Sequence, residues 1–319
     1  MSNYLPSMTA LRCLDASARL LSFTKAAEEM HLTQGAVSHH ILQLEKQLGV
    51  QFFTRRRAGL ELTLAGQKYW NDVVAVLRLL ERATESIATT GGRGGTLNLS
   101  VSSSFANYWL MPRLPAFVRA NPDITLNLST RVGPVDFAAS QDDASIEFCT
   151  GPTPGIDASL VSPLVLYPFM SREEYERFKA ERKIRGVSLS KDQLLDLLKS
   201  FALIRRVTVP EAWPGWLQEV GLSGALPESN LQGGPRYALL SMALAGAIEG
   251  LGIALLPHFI VSNAVQSRQL VCLSRVPWIA ARGYYLRWPE WRSDLDALKR
   301  FSAWLSALPS ETPDEPSEI

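Results

Sequence analysis

Residues 22–49, SFTKAAEEMHLTQGAVSHHILQLEKQLG, decide how the rest of the chain is read. Thr33 precedes an apolar-periodic run, and its hydroxyl can accept a hydrogen bond from an otherwise unpaired amide of the first turn, so it reads as an N-cap. In the helix it opens, Val37, Ile41, Leu44 and Leu48 recur at steps of four, three and four, which aligns them in one stripe for burial. Gln34 lies at the edge of that stripe; Gly35, Ser38, His39 and Lys46 point away from it. Upstream, Phe23, Ala26, Ala27 and Met30 supply a second short apolar face, and only His31 and Leu32 separate it from the Thr33 cap. Two short helices joined this tightly cross steeply, with small alanines permitting close approach, which is the helix-turn-helix plan. Either the second helix enters a DNA major groove, where amide and hydroxyl groups read base edges, or the pair is an ordinary helical hairpin with a solvated face.

The next segment weighs on that choice. Phe52 and Phe53 lead into TRRRAGLELT over residues 54–63, two short extended pieces around an Arg-rich turn containing Gly59. This is the pattern of a wing, with Arg55, Arg56 and Arg57 ready to meet phosphates. Five pieces now stand in order: Leu11-Arg12; Ser22 to Glu29; Thr33 to His39; Leu44-Glu45 with Leu48-Gly49-Val50; and Phe53-Thr54-Arg55 with Leu62 to Gly66. Together they resemble the LysR-type transcriptional regulators, and within them the glycine-cleavage-activator and beta-lactamase-activator branch. By that resemblance Thr33, Gln34, Gly35, Ser38 and His39 map onto DNA-facing positions of the second helix, and Arg55, Arg56, Arg57 and Thr63 onto wing and backbone positions. His39 stands where many relatives carry Arg, so the resemblance does not fix the charge of this contact.

The chain's bulk properties agree with a local rather than a global nucleic-acid surface. With 319 residues it suits two or three domains. It balances 32 basic against 31 acidic side chains, a net charge of +1, so any DNA affinity comes from a patch, and the basic residues of the first segment cluster in the wing. Cys13, Cys149 and Cys272 are far apart and lack metal-like spacing, which points to neither a disulfide framework nor a zinc site. No leader with a basic region and apolar core precedes the first helix, and no apolar run is long enough to span a bilayer. A cytoplasmic protein with no membrane partner is expected.

After the wing, Trp70, Val73, Leu77, Leu80, Thr84 and Ile87 repeat at steps of three and four in a helix starting near Ala65. A seam of that period wants a partner helix, although packing on its own domain satisfies it equally. The resemblance favours a dimerising linker that sets two recognition helices about 34 Å apart on an interrupted two-fold operator. Gly91-Gly92-Arg93-Gly94-Gly95 reads as a hinge, lacking the Gly-Lys-Ser/Thr ending of a phosphate loop. Beyond it, strands expected at residues 97–101, 125–129, 144–148, 164–169, 201–204, 270–273 and 283–288 alternate with helical stretches at 172–199, 237–247 and 293–308, the pattern of an α/β fold. The expected architecture is an α+β two-part chain. A winged helix-turn-helix (1–64), a linker helix (65–90) and a Gly-rich hinge (91–95) precede a two-lobed, periplasmic-binding-protein-like effector domain (96–308) and a disordered acidic tail (309–319). Lobe I would comprise 96–167 and 271–308, and lobe II 168–270.

Within the second part, Ser102, Ser103 and Ser104 sit where a strand ends and a helix begins, at the carboxyl edge where open α/β sheets hold ligands. The alternative is a capping cluster without a ligand. Thr130 ends the neighbouring strand. Arg205 and Arg206 end the strand of the second lobe, where they either clamp a carboxylate or form surface ion pairs. Blocks from Leu97 to Phe137 resemble the first half of a LysR effector domain, with two departures: Glu147 where close relatives often carry Arg, and Arg205 where a His commonly stands. The resulting expectation is a DNA-binding regulator, dimeric or tetrameric, switched by a small-molecule effector of carboxylate or amino-acid-like chemistry. No cofactor, metal or catalytic residue is expected, since the sequence lacks a nucleophile elbow, dinucleotide fingerprint, metal cluster or carboxylate pair. A metabolic enzyme or solute-binding protein on a two-lobed α/β fold is the alternative.

Overall fold

The computed structural model describes residues 5–56, 59–90, 94–137, 140–186 and 188–309. These fall into two compact units, divided between the described residues 90 and 94.

In the first unit α1 (Met8–Leu20), α2 (Phe23–Met30) and α3 (Gln34–Leu48) each begin at a hydroxyl cap. Ser7, Ser22 and Thr33 accept from the amides of Ala10, Lys25 and Ala36 at 3.2, 3.3 and 3.2 Å. Gly49, at φ 69°, takes the left-handed conformation that ends α3. Val37, Ile41 and Leu44 are buried against Leu14 and against Cys13, Ala16, Ala18, Ala26 and Ala27, the small side chains that let three helices cross closely. The hairpin of β1 (Phe53–Arg56) and β2 (Gly59–Leu62) follows, antiparallel, with Phe53 opposite Leu62. Its base is fixed by Glu45, whose Oε1 accepts from the amides of Phe52 and Phe53 at 2.7 and 3.2 Å.

Helix α4 (Leu64–Thr90) spans 27 residues, roughly 40 Å at 1.5 Å per residue. The expected seam divides along it. Tyr69, Trp70, Val73 and Leu77 pack into the core of the first unit, and the Trp70 indole donates to Asp15 Oδ1 at 2.9 Å. Val76 and Leu80 stay exposed, at 54% and 47%. The first half of the repeat therefore serves its own domain. The Ile87 side chain, Arg57, most of the Gly91–Gly95 segment and the tail from residue 310 lie outside the described residues.

The second unit is built on one sheet of β3 (Gly95–Ser102), β4 (Ile124–Arg131), β5 (Ala144–Cys149), β6 (Ile156–Ser171), β7 (Leu203–Arg206), β8 (Arg236–Tyr237), β9 (Ile253–Leu256), β10 (Leu270–Cys272) and β11 (Trp278–Pro289). The order is β4-β3-β5-β11-β6-β9-β7-β8, with β10 also on β6. Strands β4, β3 and β5 run parallel, as do β9, β7 and β8, whereas β6 and β11 run antiparallel to their neighbours. Two parallel groups thus share a central antiparallel pair. Along β6 the partner changes from β11, through Leu166, to β9, from Tyr167.

Helices cover the sheet. They are α5 (Ser103–Phe105), a π turn over Ala106–Leu110, α6 (Leu114–Ala120), α7 (Arg172–Glu181), α8 (Lys191–Ser200), α9 (Ala212–Glu219), α10 (Glu228–Gln232), α11 (Leu240–Ile248), α12 (His258–Gln266) and α13 (Asp296–Ala307). Several expected boundaries move. Strands 164–169 and 283–288 extend to the full lengths of β6 and β11, because pairing with each other and with flanking strands continues past the apolar runs. The stretch 172–199 is two helices, α8 opening on a capping box between Ser190 and Gln193. The helix expected from Tyr237 starts at Leu240, since Tyr237 is paired in β8. The helix expected from Ser293 starts at Asp296. Among the described residues no helix is long and apolar enough to cross a membrane, and no group of three or more His, Cys, Asp or Glu is placed to hold a metal ion.

Candidate functional site

Two surfaces, one in each unit, concentrate the residues picked from sequence. In the first unit, burial of Val37, Ile41 and Leu44 leaves the opposite edge of α3 outward. Thr33, Gln34, Gly35 and His39 are exposed and Ser38 is half-buried. A Cβ built on Gly35 meets nothing within 4 Å. Thr33 has its hydroxyl engaged as the cap of α3. Thr63 is also engaged within the fold: its hydroxyl donates to Gln51 O at 2.7 Å and accepts from Gly66 N at 2.9 Å, joining the wing to the start of α4. Arg55 and Arg56 belong to β1, opposite Leu60 and Gly59. Their side chains, with Arg57, are outside the described residues.

In the second unit a cavity of about 770 Å³ opens at the carboxyl ends of β3, β4, β5 and β7, where parallel strands leave unpaired amides and diverging loops. Ser102, Ser103 and Ser104 line it. Ser104 is buried, and its Oγ accepts from Ser241 N at 3.1 Å, tying the end of β3 to α11. Arg206 lines the cavity; Arg205 does not, and its Nη1 donates to Gln232 Oε1 at 3.2 Å. Thr130 is exposed and off the wall, whereas its neighbour Arg131 lines the cavity.

The rest of the wall comes from residues that sequence reasoning did not assemble. Glu147, two residues before the end of β5, is paired with Arg287 of β11 at 2.8 Å, both nearly buried. The register sets Tyr285 opposite Glu147 and Ser145 opposite Arg287, so Glu147 and Arg287 are diagonal neighbours on one face. Glu147 Oε1 also accepts from Val135 N at 2.9 Å and Ser145 Oγ at 2.7 Å, and Arg287 Nη2 donates to Thr153 Oγ1 at 2.8 Å. Arg282 lies over the Phe148 ring and is paired with Glu211 at 2.9 Å. Tyr284, stacked on Phe105 with centroids 4.1 Å apart, completes the floor. Burial pulls the Arg206 guanidinium below its ordinary pKa, partly offset by the Tyr284 hydroxyl. Glu147 was visible in the sequence as a departure from the family pattern, but its arginine partner is 140 residues away.

A second cavity, about 520 Å³, lies among Tyr108, Arg113, Tyr167 and His258. Its cation is already engaged, since Arg113 donates to Trp109 O at 2.8 Å and stacks over the Trp109 ring.

Comparison with known proteins accounts for both units. The family model described as a bacterial regulatory helix-turn-helix protein, lysR family, matches residues 8–67, and the LysR substrate binding domain matches residues 90–309. The glycine cleavage system transcriptional activator of Escherichia coli (strain K12) is 32% identical over 307 residues, covering 96% of this chain and 95% of that protein. The transcriptional activator AmpR of Rhodobacter capsulatus is 32% identical over 315 residues, covering 95% and 98%. Among solved structures, the effector domain of AmpR of Pseudomonas aeruginosa superimposes with a TM-score of 0.56 at 26% identity, covering 66% of this chain and 93% of that one. CrgA of Neisseria meningitidis, at 19% identity and a TM-score of 0.51, shares the fold over 94% of this chain and 98% of its own.

Proposed function

The chain belongs to the LysR family of bacterial regulatory helix-turn-helix proteins, a transcriptional regulator rather than an enzyme, and from that premise we propose that α3 reads an interrupted dyad in duplex DNA while the cavity of the second unit binds the effector. Gln34, Gly35, Ser38 and His39 enter the major groove, and Thr33 holds the first turn of α3 in place. Arg55, Arg56 and Arg57 meet phosphates, and Thr63 sets the angle of the wing. The exposed Val76 and Leu80 of α4 join a second copy, giving a homodimer or a homotetramer that works in the cytoplasm, where its operator is. Ser102, Ser103, Ser104 and Arg206 contact a small carboxylate or amino-acid-like effector; Thr130 and Arg205, which stand off the wall, do not. The effector acts by binding one arrangement of the assembly more tightly than another, which shifts their populations.

The observation that carries this reading is the outward edge of α3, where a polar side chain and a glycine with open space above it stand beside a capped first turn. A footprinting titration on the DNA flanking the gene, at low and moderate salt, tests it. Protection of two half-sites that is lost or relaxed by Gln34→Ala is the expected result, because a bidentate glutamine–adenine contact contributes roughly 1–3 kcal/mol of discrimination. Uniform, salt-sensitive binding that ignores Gln34→Ala would leave only general affinity for phosphate.

A further inference from the structure

Four arginines line the interlobe cavity, and three are accounted for. Arg287 is paired with Glu147 and Arg282 with Glu211, at 2.8 and 2.9 Å. Arg131 is exposed, where pairing contributes little. Arg287 Nε is itself buried without a hydrogen-bond partner, but Arg206 differs from Arg287 in having no carboxylate paired with it. Arg206 Nη2 donates to Thr208 Oγ1 at 2.9 Å, but its Nε and Nη1 are buried without a hydrogen-bond partner. Its first titratable neighbour is Tyr284, whose neutral hydroxyl lies within hydrogen-bonding reach but supplies no countercharge; Arg282 repels it, and Glu211, already paired with Arg282, attracts it weakly. A guanidinium always carries its charge, and buried donors of this kind are nearly always satisfied in folded proteins. The apolar part of the cavity has a second unusual feature: Val132, after β4, and Val207, after β7, line the same space and are 68% and 52% exposed.

Resting on the effector reading above, we infer that the ligand is a small amphipathic monocarboxylate, its carboxylate pairing with the Arg206 guanidinium and its short hydrocarbon body covering Val132 and Val207. Arg282 and Arg287 are already paired and Arg131 is exposed to solvent, so Arg206 is the one buried cation of the cavity left for a carboxylate. Removing that cation removes an uncompensated buried charge from the ligand-free protein.

The cavity contains its own reporter. Cys149 lines it and is half-buried, whereas Cys13 and Cys272 are buried, and burial pushes the Cys272 thiol up to about 11, far from the reactive thiolate. Alkylation of the full-length protein by iodoacetamide therefore reads occupancy at Cys149. Hexanoate should protect Cys149, acetate less well and hexanamide hardly at all. Arg206→Gln should weaken hexanoate protection about ten- to a hundredfold while melting no lower than the parent, and Arg206→Lys, which keeps the charge with fewer donors, should fall between. Equal protection by hexanoate in parent and Arg206→Gln would overturn the assignment of Arg206 yet leave the cavity as the effector site. So would hexanamide matching hexanoate, or inorganic phosphate surpassing it. If no probe protects Cys149, the anchor and the effector reading of this cavity both fail.

Discussion

Gly35 stands at a position that its own fold does not reserve for glycine. It occupies the first turn of α3 with a negative-φ backbone that any residue adopts, and a side chain there would meet nothing. Glycine is unfavourable inside a helix by roughly 0.5–1 kcal/mol relative to alanine, so the isolated protein gains nothing from it. A partner that must approach this face closely does. Gly35→Ala should therefore raise stability by up to about 1 kcal/mol and weaken operator binding by roughly tenfold or more. Chemical denaturation and the footprint titration check the two halves separately, and a variant that loses both would mean that Gly35 is structural. Glu147 is the opposite case: an acid placed in a ligand cavity, but held by Arg287, Ser145 and the Val135 amide, so that its charge is met within the protein.

At the scale of elements, the attachment of α13 illustrates how one terminal helix is held to the sheet it covers. Arg300 reaches both carboxylate oxygens of Asp123 at 2.7 Å and the Asn121 side chain at 2.6 and 2.9 Å, while Asp296, one turn earlier, accepts from the Gly94 amide at 2.9 Å. The hydrogen bond from Arg300 holds the Asp123 carboxyl below its ordinary range, and the Gly94 amide, with Arg300, does the same for Asp296. Groups whose pKa is lowered on folding stabilise the fold fully above their unfolded pKa, and that contribution is lost as pH falls through the folded value. Stability measured by denaturant should therefore drop on acidification through and below the usual aspartate range, about pH 3.9. Arg300→Leu should be less stable at neutral pH and show a smaller acid drop. An unchanged acid slope in the variant would show that other carboxylates dominate.

For the whole molecule, the consequence of two compact units is independent folding. Each has its own buried core: Cys13 to Val73 in the first, and two clusters packed on the sheet in the second. The AmpR effector domain of Pseudomonas aeruginosa has a structure as a separate domain, which supports the same expectation here. A fragment of residues 94–309 should unfold cooperatively at the temperature of one of two transitions in the full chain, and should keep the Arg206-dependent protection of Cys149. A fragment that is unfolded, or that melts well below either transition, would reveal energetic coupling between the units.

What the sequence by itself determined was everything carried by local period and local chemistry. The stripe Val37, Ile41, Leu44, the Thr33 cap and the Gly49 stop specify α3 and its outward edge without reference to any distant residue, because helix geometry repeats every 3.6 residues along the chain. The serine triplet at the end of β3 was legible for the same reason: it is a strand-to-helix junction. Which residues of the other strands complete the cavity was decided only by tertiary structure. Successive side chains of a strand point to opposite sides, so at most one of Arg205 and Arg206, and one of Thr130 and Arg131, can face a given space. The registers of β7 on β8 and β9, and of β4 on β3, choose Arg206 and Arg131. A shift of one position is invisible in composition or spacing, yet it exchanges every side chain between the two faces. The pairings Glu147 with Arg287 and Arg282 with Glu211 likewise exist only once β11 lies beside β5 and over the turn after β7. They leave Arg206 as the buried arginine of the cavity wall with no carboxylate paired to it.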